Sequence, residues 1–144
     1  MRFGLAALVV LGVAGLMAYV RLAPDDVARW HVALVPLAGE AEAAAPGVSD
    51  VPGGAVAFVP SPAPGEVLAR LVEVAATTPR VRLLAGDVGQ GRVSWVARSR
   101  VWGFPDYITA EVTAGGVRLW SRQRYGSGDQ GVNVVRLADW LGRL

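Results

Sequence analysis

The longest apolar run in the chain comes first. It starts at Phe3 and ends at Val20, reads FGLAALVVLGVAGLMAYV without a charge, and is bracketed by Arg2 and Arg21. As a helix, with a rise of about 1.5 Å per residue, it covers roughly 27 Å, close to the ~30 Å hydrocarbon core of a bilayer. A helix also satisfies every backbone polar group within the segment, as lipid requires. The pattern predicts a transmembrane anchor over residues 1–22. Two readings compete with it, a cleaved signal peptide and a buried core helix. Met1 and Arg2 supply the positive start of a signal peptide. Tyr19 and Val20 are poor residues for a small-x-small cleavage site, however, and the alanines at 43–45 lie too far downstream. Gly4, Gly12 and Gly15 suit a membrane helix better than a soluble one. Gly12 and Gly15 are three apart, which is not the GxxxG dimer spacing.

After the run the pattern changes twice. Residues 22–35, LAPDDVARWHVALV, read as a juxtamembrane stretch in which Asp25 or Asp26 caps a brief helix ending near Trp30, with Trp30 at the membrane interface. Residues 36–64 are rich in Ala, Gly and Pro and read as linker, with a short strand possible only at 55–59. This stretch is expected to uncouple anchor from domain.

Regular periodicity begins near Gly65. Apolar residues at Val67, Leu68, Leu71, Val72 and Ala75 mark one face of a helix over 66–76, stopped by Pro79. Four alternating runs follow, at 80–85, 92–101, 106–113 and 117–124, separated by glycine-containing connections, which is the signature of an antiparallel meander. Residues 132–144 close the chain as an amphipathic helix with Val134, Leu137, Ala138 and Leu141 inward and Asp129 or Asn133 as N-cap. The expected fold is α+β: an N-terminal transmembrane helix, then a two-layer domain with a four-stranded antiparallel meander and helices on one face. The expected boundaries are 1–22, 23–64 and 65–144.

Period-two alternation assigns the two sheet faces. Val93, Trp95, Ala97, Ile108, Ala110, Val112, Val117, Leu119 and Ser121 share the face toward the helices. Arg92, Ser94, Arg98, Arg100, Tyr107, Thr109, Glu111, Arg118, Trp120, Arg122 and Arg124 fall on the other. Overall charge does not reveal this asymmetry. Fourteen basic residues, all arginine, oppose twelve acidic ones for a net +2, yet positions 80–124 hold eight arginines against Asp87, Asp106 and Glu111. The plain reading is a solvated sheet face. The functional reading is that Arg98, Arg100, Arg122 and Arg124 converge on an acidic protein or an anionic small molecule through bidentate guanidinium contacts. Arginines interleaved with aromatics also fit single-stranded nucleic acid, which an extracytoplasmic domain would rarely meet.

Little catalytic chemistry is legible. The chain has no cysteine, which excludes thiol nucleophiles and thiolate-ligated zinc. His31 is the only histidine and falls beside the membrane segment, away from the periodic region, so no metal site or cofactor is expected. Asp25 and Asp26 read as a helix start. Ser121 and Ser127 lack a histidine for a triad. Asp106 and Glu111 oppose one another across the sheet by parity. The glycines at 126 and 128 do not form the dinucleotide fingerprint.

Arg98-Ser99-Arg100, Gly103-Phe104-Pro105-Asp106-Tyr107 and the SRQRYGSGDQGVN run from Ser121 to Asn133 resemble the family called domain of unknown function 1499, found in bacteria and plastids. The likeness spans residues 66–144, and the 21–31 stretch is similar to that of the family's membrane-anchored members. The resemblance supports the domain boundaries and implies no reaction. Some relatives carry cysteines before the first helix; this chain has none. Within the motif, the glycines around Asp129 suggest a tight loop at a helix N-terminus, which either offers free N–H groups to an anion or is occupied by Asp129 itself, as cap and as partner of Arg100 or Arg124.

The expected function is a non-enzymatic binding or assembly module, with Arg98, Arg100, Tyr107, Arg122, Arg124, Tyr125, Asp129 and Asn133 as ligand-binding residues. The alternatives are an enzyme on an anionic substrate, using Arg98, Arg122, Arg124 and Asp129, and a structural envelope protein. The expected location is the inner (cytoplasmic) membrane, single-pass through residues 3–20, with the C-terminal domain extracytoplasmic. Positive charge on the two flanks nearly balances, and a short tail before a translocated domain is the commoner arrangement.

Overall fold

A computed structural model describes residues 2–34, 47–126 and 128–144. The 36–46 part of the expected linker and Ser127 lie outside the described residues. The first element, α1, is Arg2–Leu22. Residues 4–22 of it are long and apolar enough to cross a membrane, and only 6% of the apolar window is buried, so it is not a core helix of the domain. A short helix, α2, follows at Val27–Trp30, with the Asp26 carboxylate accepting from the Ala28 backbone N–H at 3.0 Å as its N-cap.

The domain is a six-stranded antiparallel sheet with two helices on one face. The expected meander is present as β3 (Val81–Asp87), β4 (Arg92–Arg98), β5 (Pro105–Thr113) and β6 (Gly116–Gln123). The expectation of four strands is corrected to six. The other two are β1 (Gly47–Val51) and β2 (Gly54–Pro60), a hairpin added beyond β6 to give the order β1-β2-β6-β5-β4-β3. Small residues make these strands hard to read as strands, but smallness is what the position needs. Gly54 faces Arg122 across the β2–β6 pair, and a Cβ built there would stand 1.9 Å from the Ser121 carbonyl oxygen. Ala55 and Ala57 are buried in the core beside it.

Helix α3 (Pro64–Ala76) crosses from β2 to β3, and α4 (Val132–Gly142) ends the chain. Both sit on the face that alternation assigns to the core. Leu68, Leu71, Val93, Ile108, Ala110, Val117, Leu119 and Leu137 are all fully or nearly fully buried there. Trp95 meets Trp140 edge-on, with ring centroids 5.3 Å apart. On α4 the inward set is corrected at one turn: Ala138 is exposed, and Trp140 is the buried anchor.

The opposite face of the sheet is also covered. Residues 23–34, expected as a juxtamembrane stretch, lie across β4, β5 and β6 and pack on the sheet.

Candidate functional site

Two places gather the polar residues that alternation and the motif single out. The first is the arginine face. Tyr107, fully buried at the centre of β5, stacks on Trp30 with centroids 4.0 Å apart and planes 5° from parallel. Its hydroxyl donates to Asp25 Oδ1 at 2.6 Å and accepts from Arg124 Nη1 at 3.2 Å. Arg98 Nη2 donates to both Asp25 oxygens, at 3.0 and 2.8 Å, and Arg82 adds a further contact to the same carboxylate. Arg98 Nη1 reaches the carbonyls of Val20 and Gly103, and Arg124 donates to the Pro24 carbonyl at 2.7 Å. The Asp25 side chain is 6% exposed.

The electrostatics follow from this geometry. Burial pushes the Asp25 carboxyl up, but donation by Tyr107 and the Arg98 and Arg82 charges outweigh it and hold it below its ordinary value. The Tyr107 phenol is pushed up to about 12, first by burial and then by its bond to Asp25, so it remains a donor at neutral pH. Arg122 donates through Nη2 to the Trp30 carbonyl at 2.8 Å and to Thr109 Oγ1 at 2.9 Å. Its guanidinium lies over the rings of Trp120 and Trp30, at 4.8 and 5.5 Å, and burial lowers its pKa.

Trp30 is therefore part of the sheet-face core, and the interfacial placement expected for it is corrected. His31 is corrected likewise: its Nδ1 is 2.9 Å from Ser94 Oγ, which is 2.9 Å from Thr109 Oγ1. Thr109 Oγ1 is in turn 3.3 Å from the Trp30 carbonyl, so His31, Ser94 and Thr109 form one hydrogen-bonded chain across the face. Burial first, then the Arg92 charge, lower the His31 pKa against the opposing pull of Glu111. Glu111 accepts from Arg92 Nε at 3.0 Å and from the Leu34 backbone N–H at 2.7 Å. Ser94 is fully buried, so this pair presents no nucleophile to solvent.

The second place is a cleft of about 510 Å³ at the end of the sheet, built from the β4–β5 loop, the end of β6 and the loop before α4. Trp102, Phe104 and Tyr125 form its apolar side, and Ser99, Asp106, Gln123 and Asp129 its polar side. Phe104 packs between the other two rings, with centroids 6.3 Å from Trp102 and 6.0 Å from Tyr125. The Tyr125 hydroxyl is buried with no partner among the described residues. Asp129 accepts from the N–H groups of Gly131 at 3.0 Å and Asn133 at 2.8 Å; these bonds outweigh burial and lower its pKa. It therefore caps the entry to α4 from two residues before the left-handed Gly131. Asp106 pairs with Arg136 at 3.0 Å, yet burial, with the Asp129 charge added, holds its carboxyl above the ordinary range.

The candidate ligand residues thus separate. Arg98, Tyr107, Arg122 and Arg124 meet at the arginine face, where their donors engage Asp25 and the backbone of residues 20–30. Tyr125 and Asp129 line the cleft. Asn133 is buried under α4 with Ser121 and Arg136. Arg100 is exposed in the β4–β5 loop. Asp129 is not brought to Arg98, Arg122 or Arg124, so the enzyme constellation does not assemble among the described contacts. Sequence reasoning missed Asp25 as the partner of Arg98. It also missed Asp106 and Phe104 as cleft residues, although both stand inside the motif.

Fold and site together define a small α+β domain whose sheet carries two helices on one face and its own leading segment on the other, preceded by a helix apolar enough to cross a membrane. Residues 42–144 match the family described as "Protein of unknown function (DUF1499)", and the chain belongs to it. The match reaches back through the β1–β2 hairpin, beyond the 66–144 span of the motif resemblance. No curated protein and no solved structure matches the chain.

Proposed function

We propose that the chain is a single-pass membrane protein whose domain is a non-enzymatic binding module, with the cleft at the end of the sheet as its ligand site. The carrying observation is that Arg98, Arg124 and the Arg122 Nη2 group are engaged by the chain's own residues, whereas the cleft offers space, three aromatic rings and the Tyr125 hydroxyl, which has no partner among the described residues. A cavity with an apolar wall and a few convergent polar groups is the usual form of a small-molecule site. Asp106 and Asp129 are each bonded within the chain, to Arg136 and to two backbone N–H groups, but a carboxylate has about four lone-pair sites, and the remaining capacity favours a ligand that brings hydrogen-bond donors, an amine or a polyol, over an anion. The extracytoplasmic placement of the domain and the inner membrane as its location belong to the same proposal.

The test is ligand-observed NMR on the full-length chain in detergent, with one panel of amines and sugars and another of phosphates and carboxylates. Binding is expected in the first panel and is expected to be lost in Tyr125→Ala, whose side chain lines the cleft without entering the main core. Binding confined to the anion panel would overturn the cleft reading. It would favour a second one, in which an acidic partner takes the place of Asp25 on Arg98 and Tyr107. The observation behind that alternative is that this face already holds one carboxylate.

A further inference from the structure

We infer that the loop of residues 99–104 is a second membrane contact, which seats its tip in the headgroup region of the bilayer that α1 crosses. The inference rests on the anchoring reading above. The loop is held shut at its base by Ser99 N–H to the Phe104 carbonyl at 3.0 Å, Gly103 N–H to the Ser99 carbonyl at 3.2 Å, and Phe104 N–H to Ser99 Oγ at 3.0 Å. Closure of the base pushes the tip outward. Arg100 is exposed there, Val101 is 61% exposed and Trp102 is 40% exposed.

The height of this tip is fixed against α1. Arg21 Nη2 donates to the Val101 carbonyl at 2.6 Å, and Arg98 Nη1 reaches both the Val20 and Gly103 carbonyls, at 3.3 and 3.1 Å. Gly103 adopts a left-handed φ of +75°, and a Cβ there would stand 2.7 Å from Arg21 Cγ, so glycine lets the Arg21 side chain lie on the loop. Arg21 ends the apolar run, which places it at the boundary between hydrocarbon and headgroups. Val101 and Trp102 therefore sit at the same depth as that boundary.

The chemistry of the tip matches this place. Tryptophan buries an apolar body and keeps its N–H wet, and arginine carries its charge to the headgroups on an aliphatic stem. Tyr19, 65% exposed on the last turn of α1, belongs to the same belt. An apolar tip in water has no such compensation, and the anchor holds this one beside the bilayer. Because Trp102 also lines the cleft, docking sets the mouth of the cleft at headgroup level.

The chain contains no cysteine, so single labels are specific. Val101→Cys, Leu11→Cys and Val135→Cys, each in the full-length chain, would carry an environment-sensitive nitrobenzoxadiazole and be reconstituted in phosphatidylcholine–phosphatidylglycerol vesicles containing brominated acyl chains. Leu11 lies mid-helix, and Val135, 68% exposed on α4, reports on water. The expected result is strong quenching at Leu11, none at Val135, and at Val101 quenching of about twofold or more with a blue shift. Adding Trp102→Asp should remove the Val101 quenching and leave that at Leu11. Val101 behaving like Val135 while Leu11 is quenched would overturn the docking alone. An unquenched Leu11 label would overturn the anchor, and the docking with it.

Discussion

Asp25 accepts from Arg98, Arg82 and Tyr107 while almost wholly withdrawn from solvent. Replacing it leaves the half-buried Arg98 guanidinium and a buried phenol without this acceptor, so Asp25→Ala is expected to cost about 2–4 kcal/mol in urea melts. Arg124 keeps its bond to the Pro24 carbonyl and is expected to lose less on truncation. The two tryptophans on opposite sheet faces give a second residue-scale expectation. Trp95→Ala removes an indole packed on Trp140 and is expected to cost about 3 kcal/mol or more. Trp120 is half-buried, and Arg122 lies over its ring, so Trp120→Ala is expected to cost about 1–2 kcal/mol. Equal losses would mean that one strand is slipped by a residue. Asp129→Ala is expected to cost about 1–2 kcal/mol and Asp129→Asn less, since the amide oxygen still accepts from one of the two N–H groups, Gly131 or Asn133. Alternation from Val93 to Ser121 told which side chains share a face, because period two leaves no freedom once a strand is recognised. What a face touches depends on contacts some 70–90 residues apart, such as those from Arg98 to Asp25 and from Arg122 to Trp30, and no local pattern encodes them.

At the scale of elements, the meander and both domain helices were legible from their periodicity; of the β1–β2 hairpin only the middle of β2, at 55–59, was legible as a possible strand. Its strands are short and rich in Ala and Gly, which read as linker until the close approach of β2 to β6 is seen. Gly54→Ala is accordingly expected to damage the sheet far more than a surface glycine replacement, because the backbone of Ser121 leaves no room for Cβ. Proteolysis within residues 47–60 would report that loss. Residues 23–34 misled for another reason. A capped turn next to an apolar run looks like a membrane-proximal spacer, while its packing surface lies on strands far along the chain. His31 makes this segment sensitive to acid. Its pKa is lowered in the folded chain, so the unfolded chain binds the proton first as pH falls below the ordinary histidine value of about 6.5. Stability from His31 is present above that value and lost below it. Wild type is expected to lose more stability than His31→Gln between about pH 7.5 and 5.5, measured by urea midpoints. Asp106, held above the ordinary range, titrates in the opposite sense, and comparison with the variant cancels its contribution.

In the whole molecule the sheet carries helices on its first face, the leading segment on its second, and the cleft at its end. Removal of residues 1–22 is expected to leave a soluble domain that unfolds cooperatively. Removal of residues 1–34 is expected to uncover Tyr107 and Val96, which Trp30 covers, and to broaden or abolish the transition. The central claim is that the arginine face is committed to the chain's own carboxylate. A double-mutant cycle on residues 23–144, with Asp25→Ala, Arg98→Ala and the pair measured in urea, tests it most directly. A coupling of about 1.5–3 kcal/mol between the two sites is expected. Additive losses, with a coupling near zero, would contradict it and return Arg98 to the set of groups free for an external ligand.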